Sequence, residues 1–189
     1  MVRKELKDMT LEELWELFPV FLVEPNKAWE ENYREEEKRI KDILSDFDVK
    51  RVSHIGSTAV KDIWAKNIVD ILAEAAPCVD LYAVAEKLEN NGYIVMNVSP
   101  GRISLNRGYT ADGFADKVYH LHLRYEGDND ELYFRDYLNA HPDVAKEYEK
   151  LKLTLWKRFE HDRDGYTNAK TDFIRAATEQ AKQEFGKRY

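Results

Sequence analysis

The chain has 189 residues, a length that suits one domain. Hydrophobic residues make up 43% and aromatics 12%, which excludes wholesale disorder and allows a real core. The net charge of -7 excludes a general nucleic-acid binder, which needs a basic face to neutralise phosphates, but not one small basic pocket. A single cysteine, Cys78, excludes an internal disulfide framework and a Cys-based zinc cluster. The opening MVRKELKDMTLEELWELF lacks the apolar stretch of a secretory signal, and no run is long enough to cross a membrane. These features predict a cytoplasmic protein with no membrane partner.

In chain order, Thr10 and Glu13 form a capping-box pair that predicts a short helix from about Leu11. PVFLVEP, an apolar run between prolines, predicts an edge strand. Pro25 suits the first turn of a long helix with an apolar stripe at Trp29, Tyr33, Ile40, Ile43, Leu44 and Phe47, interrupted by Glu36 and Glu37. KRVSHI and NIVDILAEA predict strands, joined through Gly56 to Lys66 by a turn and a short helix. Leu81, Val84, Ala85 and Leu88 share a helical face that ends at Asn91-Gly92, a left-handed cap signal. YIVMNV, GRISLNRGY and ADKVYHLHLRY predict further strands. After Gly127 the pattern becomes helical. Asp128 and Glu131 resemble a capping box. Pro142 opens a helix striped by Val144, Tyr148, Leu151, Leu155 and Phe159, and a last helix carries Tyr166, Ala169, Phe173 and Ala177. The expected fold is α+β, a mixed β-sheet flanked by helices with a C-terminal helical part, in one domain over 1–189. Within it, about 26–126 form the α/β core and about 127–185 pack on it as helices.

Three features carry chemistry. In His54-Ile55-Gly56-Ser57-Thr58, Gly56 lets backbone approach a ligand, and a helix start at Ser57 or Thr58 would favour phosphate. A plain N-cap also accounts for Ser57 and Thr58. Asp70 lies between Val69 and Ile71 on a strand, where a carboxylate needs a metal, a cation or several donors. A structural ion pair accounts for it equally well. Glu74 shares its face but stands about 13 Å along the strand, too far to chelate one metal with it. On VYHLHLRY, Val118, His120, His122 and Arg124 share one face, so the two imidazoles can converge on an ion or an anion. Lys66, Arg102 and Arg107 are the nearby cations, with Lys66 placed best because it enters the Asp70 strand.

HIGSTAV, AKNIVDILAE, HLHL, FRDYLNAHPDVAKEYEKLKLTL and YTNAKTDFI occur in an order that resembles the GrpB family, from about Trp29 to Ile174. That family is assigned to the nucleotidyltransferase fold of the DNA polymerase β superfamily, and some members are fused to dephospho-CoA kinase. The resemblance implies a Gly-Ser turn gripping nucleotide phosphates and, about a dozen residues on, an acid-x-acid pair holding magnesium. Gly56 and Ser57 match the turn and Asp70 the first acid, but Leu72 stands in the second acid's place, as the family in general has it. Lys61-Asp62 and Lys66-Asn67 replace the family's usual Pro-Gly and Lys-Pro. Positions matching the family are His54, Gly56, Ser57, Lys66, Asp70, His120 and His122, with Arg135, Tyr166 and Lys170 either closing the pocket or tying helices to sheet.

These features together suggest three functions. The first is a metal-assisted nucleotidyl or phosphoryl transferase, with Asp70 and His122 catalytic and Gly56, Ser57, Thr58 and Lys66 on the phosphates. Asp70, His120 and His122 would be candidate ligands of Mg²⁺ or Mn²⁺. The second is a non-catalytic module for a nucleotide or other phosphorylated small molecule, which Leu72 favours. The third is a simple Asp/His metal site or hydrolase.

Overall fold

Alternation along the strands decides which residues face the core and which face the C-terminal helices. The structure, a computed structural model, describes residues 4–189. Strands β1 (Val49–Ile55), β2 (Val69–Ala75), β3 (Ile94–Ser99), β4 (Arg102–Thr110) and β5 (Gly113–Tyr125) form one sheet in the order β1-β2-β5-β4-β3. β2 and β5 pair in parallel, and the other neighbours are antiparallel. Helix α1 spans Leu11–Leu17, α2 Ala28–Ile43 and α3 Leu81–Glu89. The C-terminal part holds α4 (Asp130–Ala140), α5 (Pro142–Arg158), α6 (Arg163–Asn168) and α7 (Thr171–Phe185).

Ile71 and Ala73 of β2, Leu121 and Leu123 of β5, and Leu105 of β4 point to one side. There they meet Trp29 and Ile40 of α2 and Val84 and Leu88 of α3 in the main core. Asp70, Leu72 and Glu74 therefore point to the other side, where Leu72 packs with Ile55 and Leu132 of α4. Glu74 is fully buried and satisfied. Arg51 donates to it at 2.5 and 3.2 Å, and the Gly127 amide and the Asn129 side chain at 3.2 and 3.0 Å. Among the described residues no helix is long and apolar enough to cross a membrane.

Several expectations are corrected. PVFLVEP forms no strand, only a bridge from Val23 to Ala65, because the Val20 amide bonds to the Glu160 carbonyl. Its Val20 and Leu22 insert beside Leu155 and Tyr166 of the helical part. Pro25 lies ahead of α2, whose first amides are met by the Asn26 side chain and carbonyl. Glu36 interrupts the α2 stripe because it is buried as the partner of Arg107 and Tyr93. Asp128 and Glu131 do not cap α4. Arg102 holds Asp128 through two bonds of 2.6 Å, and Arg124 reaches Glu131 at 2.7 Å, so guanidinium groups win these carboxylates from the helix amides. The last helix is two. Tyr166 packs toward Val20 and Leu155, whereas Phe173 and Ala177 pack toward Val60, Ile63 and Phe134. The chain breaks at Ala169-Lys170 to serve both clusters.

Candidate functional site

The strand registers build the site. Ile55, the last residue of β1, lies opposite Asp70, and Asp70 lies beside His120. The turn leaving β1 therefore rises directly over the carboxylate. Gly56 has φ +71, and a Cβ placed there would sit 2.5 Å from Asp70 Oδ2. Only glycine meets both demands. Ser57–Ala59 is a single 3₁₀ turn rather than an α-helix, so no helix dipole of useful length points at a phosphate here.

Asp70 is held by histidines. His120 Nδ1 is 3.1 Å and His122 Nε2 3.6 Å from Asp70 Oδ1. The Asp70 side chain keeps 25% of its surface exposed and that of His122 keeps 26%, so both are partly open to solvent. Burial pushes the Asp70 carboxyl up. The two imidazoles against Oδ1, His120 through its hydrogen bond first, outweigh that and hold it well below the usual carboxylate range. Burial lowers His120 to about 4, helped by the charges of Lys66 and Arg163, so it is neutral at pH 7. Its Nε2 lies 2.8 Å from the Tyr109 hydroxyl, which accepts a bond from Arg163 at 3.0 Å.

Cations surround this acid. Lys66 borders Asp70 and Arg163, and burial lowers it to about 8. Lys170 and Lys152 are each lowered to about 7 by burial first; Lys66 and Lys152 add to it for Lys170, and Lys66 and Lys146 for Lys152, where Glu149 opposes the shift. Lys170 Nζ lies 4.0 Å and Lys66 Nζ 6.0 Å from the centre of the buried Tyr166 ring. Lys152, 1% exposed, lies 4.9 Å from the Tyr148 ring and donates to the Trp64 carbonyl. Ser57 lies near the Tyr148 hydroxyl, whose pKa burial raises above its ordinary range. Among the described residues, Lys66, Lys152, Lys170 and Arg163 make no ion pair closer than 4 Å; Asp70 is the acid near Lys66 and Lys170, and Glu149 the acid near Lys152.

Of the residues expected from the sequence, Gly56, Ser57, Lys66, Asp70, His120, His122, Tyr166 and Lys170 are brought together. Thr58 is nearby, but its hydroxyl bonds His54 Nε2 at 2.9 Å. His54 points to the other side of β1, stacked on Tyr33 with ring centres 4.7 Å apart and Nδ1 3.6 Å from Glu30. Arg135 ties α4 to β1 by donating to the His54 carbonyl at 2.9 Å, and it also reaches Tyr189 and Asp136. Arg102, Arg107 and Arg124 are engaged by Asp128, Glu36 and Glu131.

A family model described as GrpB protein matches residues 19–180. The chain belongs to the GrpB family. Among its relatives, the glutamate-rich protein GrpB of Alkalihalophilus pseudofirmus is 35% identical over 164 residues, covering 82% of this chain and 91% of that one. The crystal structure of GrpB from Enterococcus faecalis superposes with a TM-score of 0.75 at 28% identity, over 87% of this chain and 99% of that one. A structure of Cid1 in complex with the UTP analogue UMPNPP gives a TM-score of 0.53 at 8% identity, over 84% of this chain and 50% of that one. That likeness is one of fold, and the fold is nucleotidyltransferase-like.

The resemblance implies Mg²⁺ or Mn²⁺ at the GrpB acid, and the residues here do not supply a ligand set for it. Leu72 is fully buried in an apolar cluster. Asp70 Oδ1 faces two imidazoles, and both ring nitrogens of His120 have partners. Among the described residues, no three His, Cys, Asp or Glu side chains are grouped to hold a metal ion. Tyr109, Arg163, Tyr148 and Lys152 were not singled out from the sequence. Lys152 did leave a trace. It lies one helical turn after Tyr148 and between Leu151 and Leu155, where a cation on the apolar stripe of α5 asks for an anion.

Proposed function

We propose that this GrpB protein binds a nucleotide, or another small molecule bearing a chain of phosphates, where the Asp70 face of the sheet meets helices α5 to α7. One observation carries this reading. Burial, and after it the repulsion of neighbouring cations, depresses Lys66, Lys152 and Lys170; Arg163 stands beside Lys66, and Asp70 and Glu149 are the carboxylates that act on them. Like charges held at such a cost are stabilised by a polyanion, and several lysines with one guanidinium suit a triphosphate. Ser57 beneath Gly56 offers a further donor. The fold it shares with a protein solved with a UTP analogue supports a nucleotide over an inorganic anion. The acidic net charge and the single cysteine fit a cytoplasmic setting and a small-molecule ligand.

Thermal melting tests it. ATP, UTP and tripolyphosphate are expected to raise the melting temperature, and Lys66→Ala and Lys170→Ala each to remove most of the rise. If none of the three ligands shifts the wild-type transition, the reading is wrong.

A second reading, transfer of a nucleotidyl or phosphoryl group, is favoured by His122. Its ring is set against the ionised Asp70 and is partly open to solvent, the arrangement of a general base. It predicts pyrophosphate or phosphate release from the bound nucleotide when an acceptor is present, lost in His122→Ala. Binding with no product over long incubation would leave a non-catalytic module.

A further inference from the structure

The hydrogen bonds around His120 take their direction from the one partner that can only donate, Arg163. Arg163 has donors and no acceptor, so it donates to the Tyr109 oxygen. The Tyr109 proton then goes to the one acceptor beside it, His120 Nε2 at 2.8 Å. A nitrogen that accepts carries no proton, so the ring proton is on Nδ1 and is donated to Asp70 Oδ1 at 3.1 Å. Tyr109 reaches this ring because of a bulge. Asn106 lies opposite His120, and strict alternation would turn Tyr109 to the other face with Arg107. The register shifts between Arg107 and Tyr109 at Gly108, whose φ is +89 and whose Cβ would lie 2.3 Å from the Lys117 carbonyl oxygen. The bulge reverses the parity, and Tyr109 joins Val118 and Ile68 on the histidine side.

We propose that Tyr109 and Arg163 are positioning residues that lock His120 as the Nδ1–H tautomer. This makes Asp70 Oδ1 the hydrogen-bond acceptor of His120, with the His122 ring 3.6 Å away, rather than a metal ligand, so that the pocket takes its polyphosphate without a divalent ion at Asp70. The last step rests on the polyphosphate reading above. The lysines and Arg163 supply the positive charge that metal ions would otherwise bring to the phosphates.

The first experiment needs no nucleotide. In the full chain with ¹⁵N-labelled histidine at pH 7.5, His120 is expected to show a protonated Nδ1 and a lone-pair Nε2. Substoichiometric Mn²⁺ is expected to leave the His120 and His122 signals unbroadened. Tyr109→Phe removes the donor and shifts His120 toward a mixture of tautomers. Arg163→Met does the same to a smaller extent and serves if the first variant folds poorly. A wild-type His120 in the Nε2–H form, or selective Mn²⁺ broadening of both histidines that Asp70→Asn abolishes, overturns the proposal. The second experiment is titration calorimetry with ATP. Affinity in EDTA at least equal to that in Mg²⁺ supports the proposal, and binding confined to Mg²⁺ overturns it. Absence of ATP binding in both buffers would instead reject the polyphosphate reading while the tautomer result stands.

Discussion

At position 56 a methyl group meets two separate obstacles, and a comparison can divide them. Gly56 needs a positive φ and also has Asp70 Oδ2 against it, whereas Gly127 has φ +91 with nothing within 4 Å of its Cβ position. Gly127→Ala is expected to cost about 1 kcal/mol, from backbone strain alone. Gly56→Ala carries that strain plus the clash, and about 3 kcal/mol is expected in total. Urea unfolding of both variants measures the difference. Equal losses would mean that the turn does not press on Asp70. The residue scale also shows what the sequence could and could not convey. Asp70, His120 and His122 were legible because strand parity is unbroken where they lie, so side chains two apart share a face. Tyr109 was not, since a bulge inverts parity and the sequence marks it only by a glycine in a strand. Arg135 and His54 matched the family pattern, and the structure uses them to fasten α4 and α2 to the edge of β1.

Three elements deliver the lysines, α5 with Lys152, the α6–α7 break with Lys170, and the entry to β2 with Lys66. Their values of about 7, 7 and 8 lie below the ordinary lysine value near 10.4 expected of the unfolded chain. From about pH 7 to about pH 10 the unfolded chain thus binds more protons at these groups than the native one does. Stability rises with pH wherever that holds, so the lysines make the ligand-free protein more stable toward alkaline pH through this window. A bound polyanion favours the protonated amines and reverses the trend for affinity. ATP binding is expected to weaken about tenfold between pH 6.5 and 8.5, with proton uptake seen as a buffer-dependent heat. Lys170→Met should flatten both profiles and raise the melting temperature of the ligand-free protein near pH 6.5, because one repelling charge is gone. An affinity that does not change with pH would mean that these amines stay charged without the ligand. The helices were readable from their stripes, but the break at Ala169-Lys170 was not. The spacing of Tyr166, Ala169, Phe173 and Ala177 runs through it as if one helix continued, and only two separate packing targets force the interruption.

On the scale of the whole molecule, the sheet and the C-terminal helices are joined by shared apolar clusters as well as by the site. Ile55 and Leu72 pack with Leu132, Val60 and Ile63 with Phe134, Ala145 and Ala177, and Val20 and Leu22 with Leu155 and Tyr166. Removing the helices would expose these sheet-side residues, and burial of side chains of this size is worth about 1.5–3 kcal/mol each. Neither part has a core independent of the other on that side. The chain is therefore expected to unfold as one cooperative unit. Trp64 packs at the helical cluster and Trp29 in the sheet core, so tryptophan fluorescence samples both regions. Its urea transition should coincide with that of far-ultraviolet circular dichroism, with the same midpoint and slope. Two separated transitions, or a fragment ending near residue 127 that melts cooperatively alone, would show that the sheet stands by itself. The prediction bears on function because the site has the same division. Asp70 and its histidines belong to the sheet, whereas Lys152, Lys170 and Arg163 belong to the helices. A polyphosphate bound between them should raise the single melting transition as a whole rather than split it, since the ligand holds together the two sets of residues that the clusters already join.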